Sequence, residues 1–223
     1  MKLVVANDVI KDVKWAHTLT DNTFNKEQCK LIDEYFKALS IKTVQEEIKT
    51  KAATQWTGHI FCLDSSRWAG VIDDLFERNK DLKLLYGSQR DFFIVYELVA
   101  TAPGFIYKWH RDVSRKAVSG VVYWGKEGEG TIMRTANGES QVKWAHNRAL
   151  WFGNTRDDLA VNDPLSPWHR FENNSSELRF TVNINFTPQN EMAKYVKERK
   201  NQFLHFWKHN EPLWSRMGND LYG

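Results

Sequence analysis

Seven histidines in a chain of 223 residues are few enough to take one at a time. Only His110 stands two residues ahead of an aspartate, in Lys108-Trp109-His110-Arg111-Asp112. On an extended strand, residues i and i+2 project from the same face, so both side chains can reach one ion. An imidazole and a carboxylate suit a borderline divalent metal. A second histidine would complete the two-histidine, one-carboxylate set that leaves coordination positions open on Fe(II). Such a triplet also arises by chance, so its meaning rests on what surrounds it.

A second chemical signal lies downstream. His169 precedes a turn-like run, Asn173-Asn174-Ser175-Ser176, and then a segment of clean alternation. Arg179, Thr181, Asn183 and Asn185 fall on one face, and Phe180, Val182, Ile184 and Phe186 on the other. If the apolar face packs against helices, Arg179 points into the interior, where a buried guanidinium needs an anionic partner. A dicarboxylate ligand would supply one through paired bonds. An internal acid such as Glu97 would serve as well.

The elements that must position these residues are mostly strands. Runs at Phe92–Ala100, Ile106–Asp112, Val118–Trp124, Thr131–Arg134, Gln141–Trp144, Arg148–Phe152, Leu159–Val161, Trp168–Phe171 and Leu178–Phe186 read as β, with Pro103-Gly104, Asn137-Gly138 and Gly153-Asn154 among the turns. Many short strands at close spacing predict a sandwich or barrel. Earlier, Asn25 and Gln28 form a capping-box pair before Cys29, Ile32, Phe36 and Leu39 at helical spacing. A second helix is expected over 66–78, with Trp68, Ile72, Leu75 and Phe76 inward; 49–58 is ambiguous. Thr187 and Pro188 predict the cap and first residue of a last helix that carries Met192, Val196, Phe203, Phe206 and Trp207. Its Lys194, Lys197, Arg199 and Lys200 read as a solvated face. The expected layout is one domain: helical support over 1–90, core over 91–186, and helix and tail over 187–223.

Composition bounds the rest. Hydrophobic residues are 42% and charged residues 26%, a balance typical of a globular chain. A formal charge of +3, with bases spread among nearly as many acids, argues against a nucleic-acid partner. No apolar run approaches the ~20 residues of a membrane span. Charge arrives too soon after Met1 for a secretory signal, and two cysteines make no disulfide framework, so a cytoplasmic setting is expected. Ten tryptophans are expected to fill core and seams.

The stretch Pro103-Gly104-Phe105-Ile106-Tyr107-Lys108-Trp109-His110-Arg111-Asp112 resembles the entry to the metal site of the 2-oxoglutarate/Fe(II) dioxygenases, in particular their prolyl-hydroxylase-like branch. Gly104 and Tyr107 match a glycine six and a tyrosine three residues before the first metal histidine. Val121-Val122-Tyr123-Trp124 resembles the next strand, Trp168-His169-Arg170-Phe171 the strand with the last ligand, and Arg179-Phe180-Thr181 the pair that holds the cosubstrate. The likeness spans 92–186. Tyr96 is displaced from a further tyrosine of the branch and takes no role.

The resemblance implies a double-stranded β-helix, or jelly-roll, barrel: mainly β with flanking helices. It implies Fe(II) held by His110, Asp112 and His169, and 2-oxoglutarate chelating the iron through its 1-carboxylate and keto oxygen. The 5-carboxylate would be met by Arg179, Thr181 and Tyr123. O2 would then oxidise cosubstrate and substrate together, with succinate and CO2 as co-products and ascorbate in support. His146 competes as third ligand, since Arg156 also follows it by ten residues. Arg156 lies in a polar run with no hydroxyl two positions on, so His169 is preferred and His146 reads as a turn residue. His17, His59, His205 and His209 read as surface or seam residues.

Tyr107, Trp109, Arg111 and Trp168 are expected to line the substrate pocket. A prolyl-type peptidyl residue is the first substrate reading, and a free amino acid or other small molecule the second. The nucleic-acid dealkylases carry a second arginine where this chain has Asn185. A catalytically silent jelly-roll binding module is the non-enzymatic reading, and oligomeric state is open.

Overall fold

The alternation that begins at Arg179 divides the molecule. The computed structural model describes residues 5–6, 13–51, 55–62, 68–78, 92–112, 116–153 and 166–188. In chain order its elements are β1 (Val5–Ala6), β2 (His17–Thr20), α1 (Lys26–Lys37), α2 (Ile41–Lys51), β3 (Trp56–Cys62), α3 (Ala69–Arg78), β4 (Phe92–Thr101) and β5 (Ile106–His110). They continue with β6 (Val118–Trp124), β7 (Ile132–Thr135), β8 (Gly138–Gln141), β9 (Ala149–Gly153), β10 (His169–Glu172) and β11 (Arg179–Pro188). All strand pairs are antiparallel, in a seven-stranded sheet ordered β1-β2-β9-β6-β11-β4-β3 and a four-stranded sheet ordered β5-β10-β7-β8. Two such sheets with helices against the larger make a jelly-roll, mainly β with flanking helices.

β11 lies between β4 and β6, and its register puts Asn183 beside Glu97 and Val121. Because side-chain direction alternates, each strand divides its residues between two layers. Val182, Ile184 and Phe186 join Ile94, Tyr96, Leu98, Val122 and Trp151 in a core shared with the helices. Each large apolar side chain buried this way contributes roughly 1.5–3 kcal/mol. The opposite face meets the smaller sheet around a second cluster that includes Tyr123, Met133, Leu150 and Phe152.

The helices supply the other half of that core. Asn25 accepts from the Gln28 amide and Gln28 answers on the Asn25 amide, the capping box expected from sequence; Ile32 and Phe36 face inward. α3 buries Val71, Ile72, Leu75 and Phe76. Trp68 packs against Trp151, the rings tilted at 50° with centres 4.8 Å apart, and donates to the Tyr96 hydroxyl at 3.1 Å. The buried tryptophans therefore serve as core, as their number suggested.

Several expectations change. The first ninety residues are not helical support alone, since they add β1, β2 and β3 to the larger sheet. α2, which sequence periodicity did not mark, buries Val44. The ambiguous stretch 49–58 holds the end of α2 and the start of β3. The strand expected at Gln141–Trp144 lies at Gly138–Gln141, because Ala136-Asn137 turns directly from β7 into β8. β11 runs through Thr187 and Pro188, paired with Phe93 and Phe92, so neither opens a helix. The helix expected beyond them and the strand expected at 159–161 lie outside the described residues. No helix among the described residues is long and apolar enough to cross a membrane.

Candidate metal centre and its cavity

β5 enters from a turn at Pro103-Gly104, where Gly104 has φ 74°, a conformation glycine takes without a Cβ penalty. Its amide donates to the Asn173 carbonyl at 2.7 Å, tying the start of β5 to the end of β10. Along the pair His110 faces His169, yet Tyr107 faces Phe171, so three steps on β5 match two on β10. This bulge turns both Tyr107 and His110 toward the interior, which strict alternation would forbid. Tyr107 stacks on Phe171 at 5.2 Å, and its ring lies 4.4 Å from that of His110.

The rings of His110 and His169 stand 4.2 Å apart. His110 Nδ1 bonds the Lys108 carbonyl at 2.9 Å, and His169 Nδ1 bonds the Pro167 carbonyl at 2.8 Å. A carbonyl only accepts, so both Nδ1 atoms carry the proton and both Nε2 lone pairs are free. Asp112 follows β5, and its Oδ2 accepts from the Ser119 hydroxyl. The ligand atoms of His110, Asp112 and His169 all lie within 4.8 Å of one another.

Protonation favours a cation here. Burial, helped by the neighbouring His169, pushes His110 down to about 4. Burial lowers His169 too. Burial alone would raise Asp112, but Lys116, His169, the Ser119 hydroxyl and His110 outweigh it and keep the acid ionised. Two neutral imidazoles and one carboxylate form a donor set suited to a borderline divalent metal with open positions.

These residues line a cavity of about 440 Å³ between the sheets, shared with Arg179 and Thr181. Arg179 is 4% exposed and lies 4.4 Å from the Phe171 ring centre and 5.5 Å from that of Trp144. Its Nε donates to the Glu129 carbonyl at 2.9 Å, while Nη2 is buried without a partner. Burial lowers the guanidinium to about 10, against the opposing pull of Tyr123 and Glu129. Glu97, the internal acid that might have answered Arg179, instead lies 3.9 Å from Lys116 and accepts from Asn183 at 3.5 Å. An orphaned cationic N–H in a cavity with three metal-ligand side chains suits a carboxylate-bearing ligand.

Tyr123 faces the interior from β6 beside Thr181. It does not line the cavity, and its hydroxyl accepts the Thr131 amide at 3.1 Å. Of the four expected substrate residues, only Tyr107 lines the cavity. Trp109 is covered by Arg134 and Arg170, whose guanidinium carbons lie 5.6 and 5.4 Å from its ring centre. Arg111 lies over Trp168 at 5.6 Å and donates to Ser166. Those three sit outside the cavity wall because each is next in sequence to a metal ligand, and alternation turns neighbours to opposite faces; only the bulge brings Tyr107 back inward. His146 is in a turn, accepting the Gly125 amide at 3.1 Å with its ring against Trp124. His17 is buried in β2 and bonds the Trp15 carbonyl.

Lys116 and Ser119 also line the cavity and were not singled out from sequence; Glu97, named there only as an alternative partner for Arg179, lines it too. Asn183 and Asn185 were visible as companions of Arg179 on the polar face. Lys116 lies at i+4 from Asp112, its Nζ 3.9 Å from Oδ1, but no local pattern in the sequence marked it.

No family model matches the chain, and no curated protein matches it in sequence. Solved structures similar to it include a Pseudomonas putida prolyl-4-hydroxylase, 15% identical, covering 78% of this chain and 92% of that one, with TM-score 0.41. A 2OG-Fe(II) oxygenase family oxidoreductase from Burkholderia pseudomallei is 11% identical over 77% and 84% of the two chains, with TM-score 0.47. A viral collagen prolyl hydroxylase from Paramecium Bursaria Chlorella virus-1, in a 2OG complex, is 11% identical over 77% and 95%, with TM-score 0.43.

Proposed function

We propose that this chain is an Fe(II)- and 2-oxoglutarate-dependent oxygenase that hydroxylates an aliphatic C–H bond. The observation that carries the reading is the unpartnered, buried Nη2 of Arg179 in the same cavity as His110, Asp112 and His169. A metal site alone would fit many chemistries. A metal site facing a buried cation calls for an anionic ligand that spans both.

Fe(II) would be held by the Nε2 atoms of His110 and His169 and by the Asp112 carboxylate. Metal and cosubstrate together supply oxygen activation coupled to decarboxylation. The protein does the rest. Carbonyl bonds to both Nδ1 atoms fix the tautomer that ligates. Ser119 occupies Asp112 Oδ2 and leaves Oδ1 for the metal. Arg179 and the Thr181 hydroxyl would take the distal carboxylate, with Phe171 and Trp144 shielding the guanidinium from water. An intact Asp112 favours hydroxylation over halogenation, which needs that position vacant for halide.

The test is succinate formation from 2-oxoglutarate by the purified chain with Fe(II) and ascorbate, compared with D112A. Succinate that depends on metal and is lost in D112A supports the reading. Cosubstrate binding without succinate across varied substrates would favour a silent binding module. No binding of 2-oxoglutarate to metal-loaded protein would refute both.

A further inference from the structure

Two buried polar groups face the cavity without partners, and the cosubstrate can answer only one of them. Among the described lining residues, the buried side-chain nitrogens and oxygens that lack a hydrogen bond are Arg179 Nη2 and Asn185 Nδ2. Both residues lie on the cavity face of β11, six positions apart. At the rise of a strand their backbones stand roughly 20 Å from each other. A five-carbon diacid that chelates the metal and meets Arg179 is too short to serve Asn185 as well. Asn185 is 1% exposed. A buried amide N–H without an acceptor costs stability that a ligand oxygen would return.

The register ties this second donor to the metal. Asn185 pairs with Ser119 on β6, and the Ser119 hydroxyl donates to Asp112 Oδ2. Paired residues on neighbouring strands carry their side chains on the same face, about 5 Å apart. A molecule held by the Asn185 amide therefore lies one side chain away from a metal-ligand carboxylate, at the end of β11 remote from Arg179.

The charges of the cavity limit what that molecule can be. Lys116 Nζ stands 3.9 Å from a carboxylate oxygen of Glu97 and 3.9 Å from one of Asp112, so the cation at this end already has two acids beside it. Among the described lining residues, Glu97 and Asp112 balance Lys116 and Arg179. A divalent metal balances a doubly charged cosubstrate. A substrate with net charge would enter a buried site uncompensated, and a zwitterion would have to displace charge contacts already made. An uncharged oxygen acceptor asks only for the N–H that is unanswered.

We propose that Asn185 is the substrate anchor, its amide donating to the neutral carbonyl oxygen of a carboxamide near the C–H bond that is oxidised. The proposal rests on the oxygenase reading and adds to it one named contact and an uncharged amide as the group recognised.

Isothermal titration of the full chain, loaded with Mn(II) and 2-oxoglutarate without oxygen, tests it. The probes are the N-acetyl amides of the common L-amino acids, the matching N-acetyl acids and free amino acids, and end-blocked tripeptides centred on the tightest residue. At least one N-acetyl amide should bind, and its acid and its free amino acid should each bind about tenfold more weakly or worse. N185L and N185A should each weaken the amide about tenfold or more and leave the affinities for Mn(II) and 2-oxoglutarate within about twofold. The comparison of amide with acid on the wild-type chain decides the matter even if a variant folds poorly. Tighter binding of a tripeptide identifies a peptide as the source of the amide, tighter binding of the single residue a small molecule, and either supports the anchor. No binding by any amide, preference for a charged probe, amide affinity unchanged in folded N185L or N185A, or 2-oxoglutarate affinity lost in them overturns the anchor and leaves the oxygenase reading standing. Failure of Mn(II) or 2-oxoglutarate to bind the wild-type chain overturns that reading, and the anchor with it.

Discussion

Replacing Arg179 with methionine should move stability and ligand affinity in opposite directions. The guanidinium is 4% exposed, with one backbone carbonyl as acceptor for Nε and none for Nη2. Burial holds it at about 10, well below the ordinary arginine value. At ~1.4 kcal/mol per pKa unit, the charged form costs the folded state on the order of 3 kcal/mol. The flanking Phe171 and Trp144 rings return about 0.5–1 kcal/mol each. Methionine keeps much of the stem volume and removes the charge, so R179M without ligand should be neutral or about 1–2 kcal/mol more stable. Urea denaturation at pH 7.5 measures this. A buried carboxylate deprived of its partner loses about 3–5 kcal/mol, so 2-oxoglutarate should bind Mn(II)-loaded R179M some hundredfold or more weakly. Isothermal titration measures that. If R179M unfolds more easily by 2 kcal/mol or more and binds 2-oxoglutarate unchanged, Arg179 is a structural cation and the cosubstrate assignment fails.

Other outcomes follow from particular contacts. Ser119→Ala frees Asp112 Oδ2 from its hydroxyl partner and should weaken Mn(II) binding about tenfold with little change in fold stability, read by metal titration beside urea denaturation. Gly120→Ala should destabilise by about 1–3 kcal/mol in urea, because a Cβ there would lie 2.4 Å from the Trp151 ring. His110 and His169 are depressed below the ordinary 6.5, His110 to about 4. Between those values the unfolded chain takes up protons that the folded one refuses, so metal-free stability should fall as pH drops from 6.5 toward 4. H110Q should flatten that fall, and an unchanged pH profile would count against the burial.

What could be read from sequence was whatever a single segment carries by itself. The period of two in β11 placed Arg179 and Thr181 opposite Phe180 and Val182 before any partner strand was known. The α1 cap was equally local, since Asn25 and Gln28 answer each other three residues apart. α2 escaped because its apolar stripe, Ile41, Val44 and Ile48, is short, with only Val44 fully buried and Ile48 partly packed on the core. β8 was misplaced because its residues are mostly exposed, while Val142 and Trp144 beyond it are more apolar. Trp109 was expected in the pocket although alternation from His110 already turns it away, and Tyr107 reaches the cavity only through a bulge that exists in the mismatch between β5 and β10 and cannot be seen in one strand. The Glu97–Lys116 pair is invisible for the same reason, being made by a register that joins distant stretches of chain.

β11 serves two masters by parity. Its even positions, with Val182, Ile184 and Phe186, hold the molecule together, and its odd positions, with Arg179, Thr181, Asn183 and Asn185, furnish the cavity. Neighbours that point apart share few contacts, so substitutions at odd sites should be nearly additive with substitutions at even ones. Such a strand is a natural place to diversify. A library randomised at Asn183 and Asn185 alone would sample substrate preference while leaving the scaffold untouched, and stabilising changes at even sites could be added afterwards without re-optimising the chemistry.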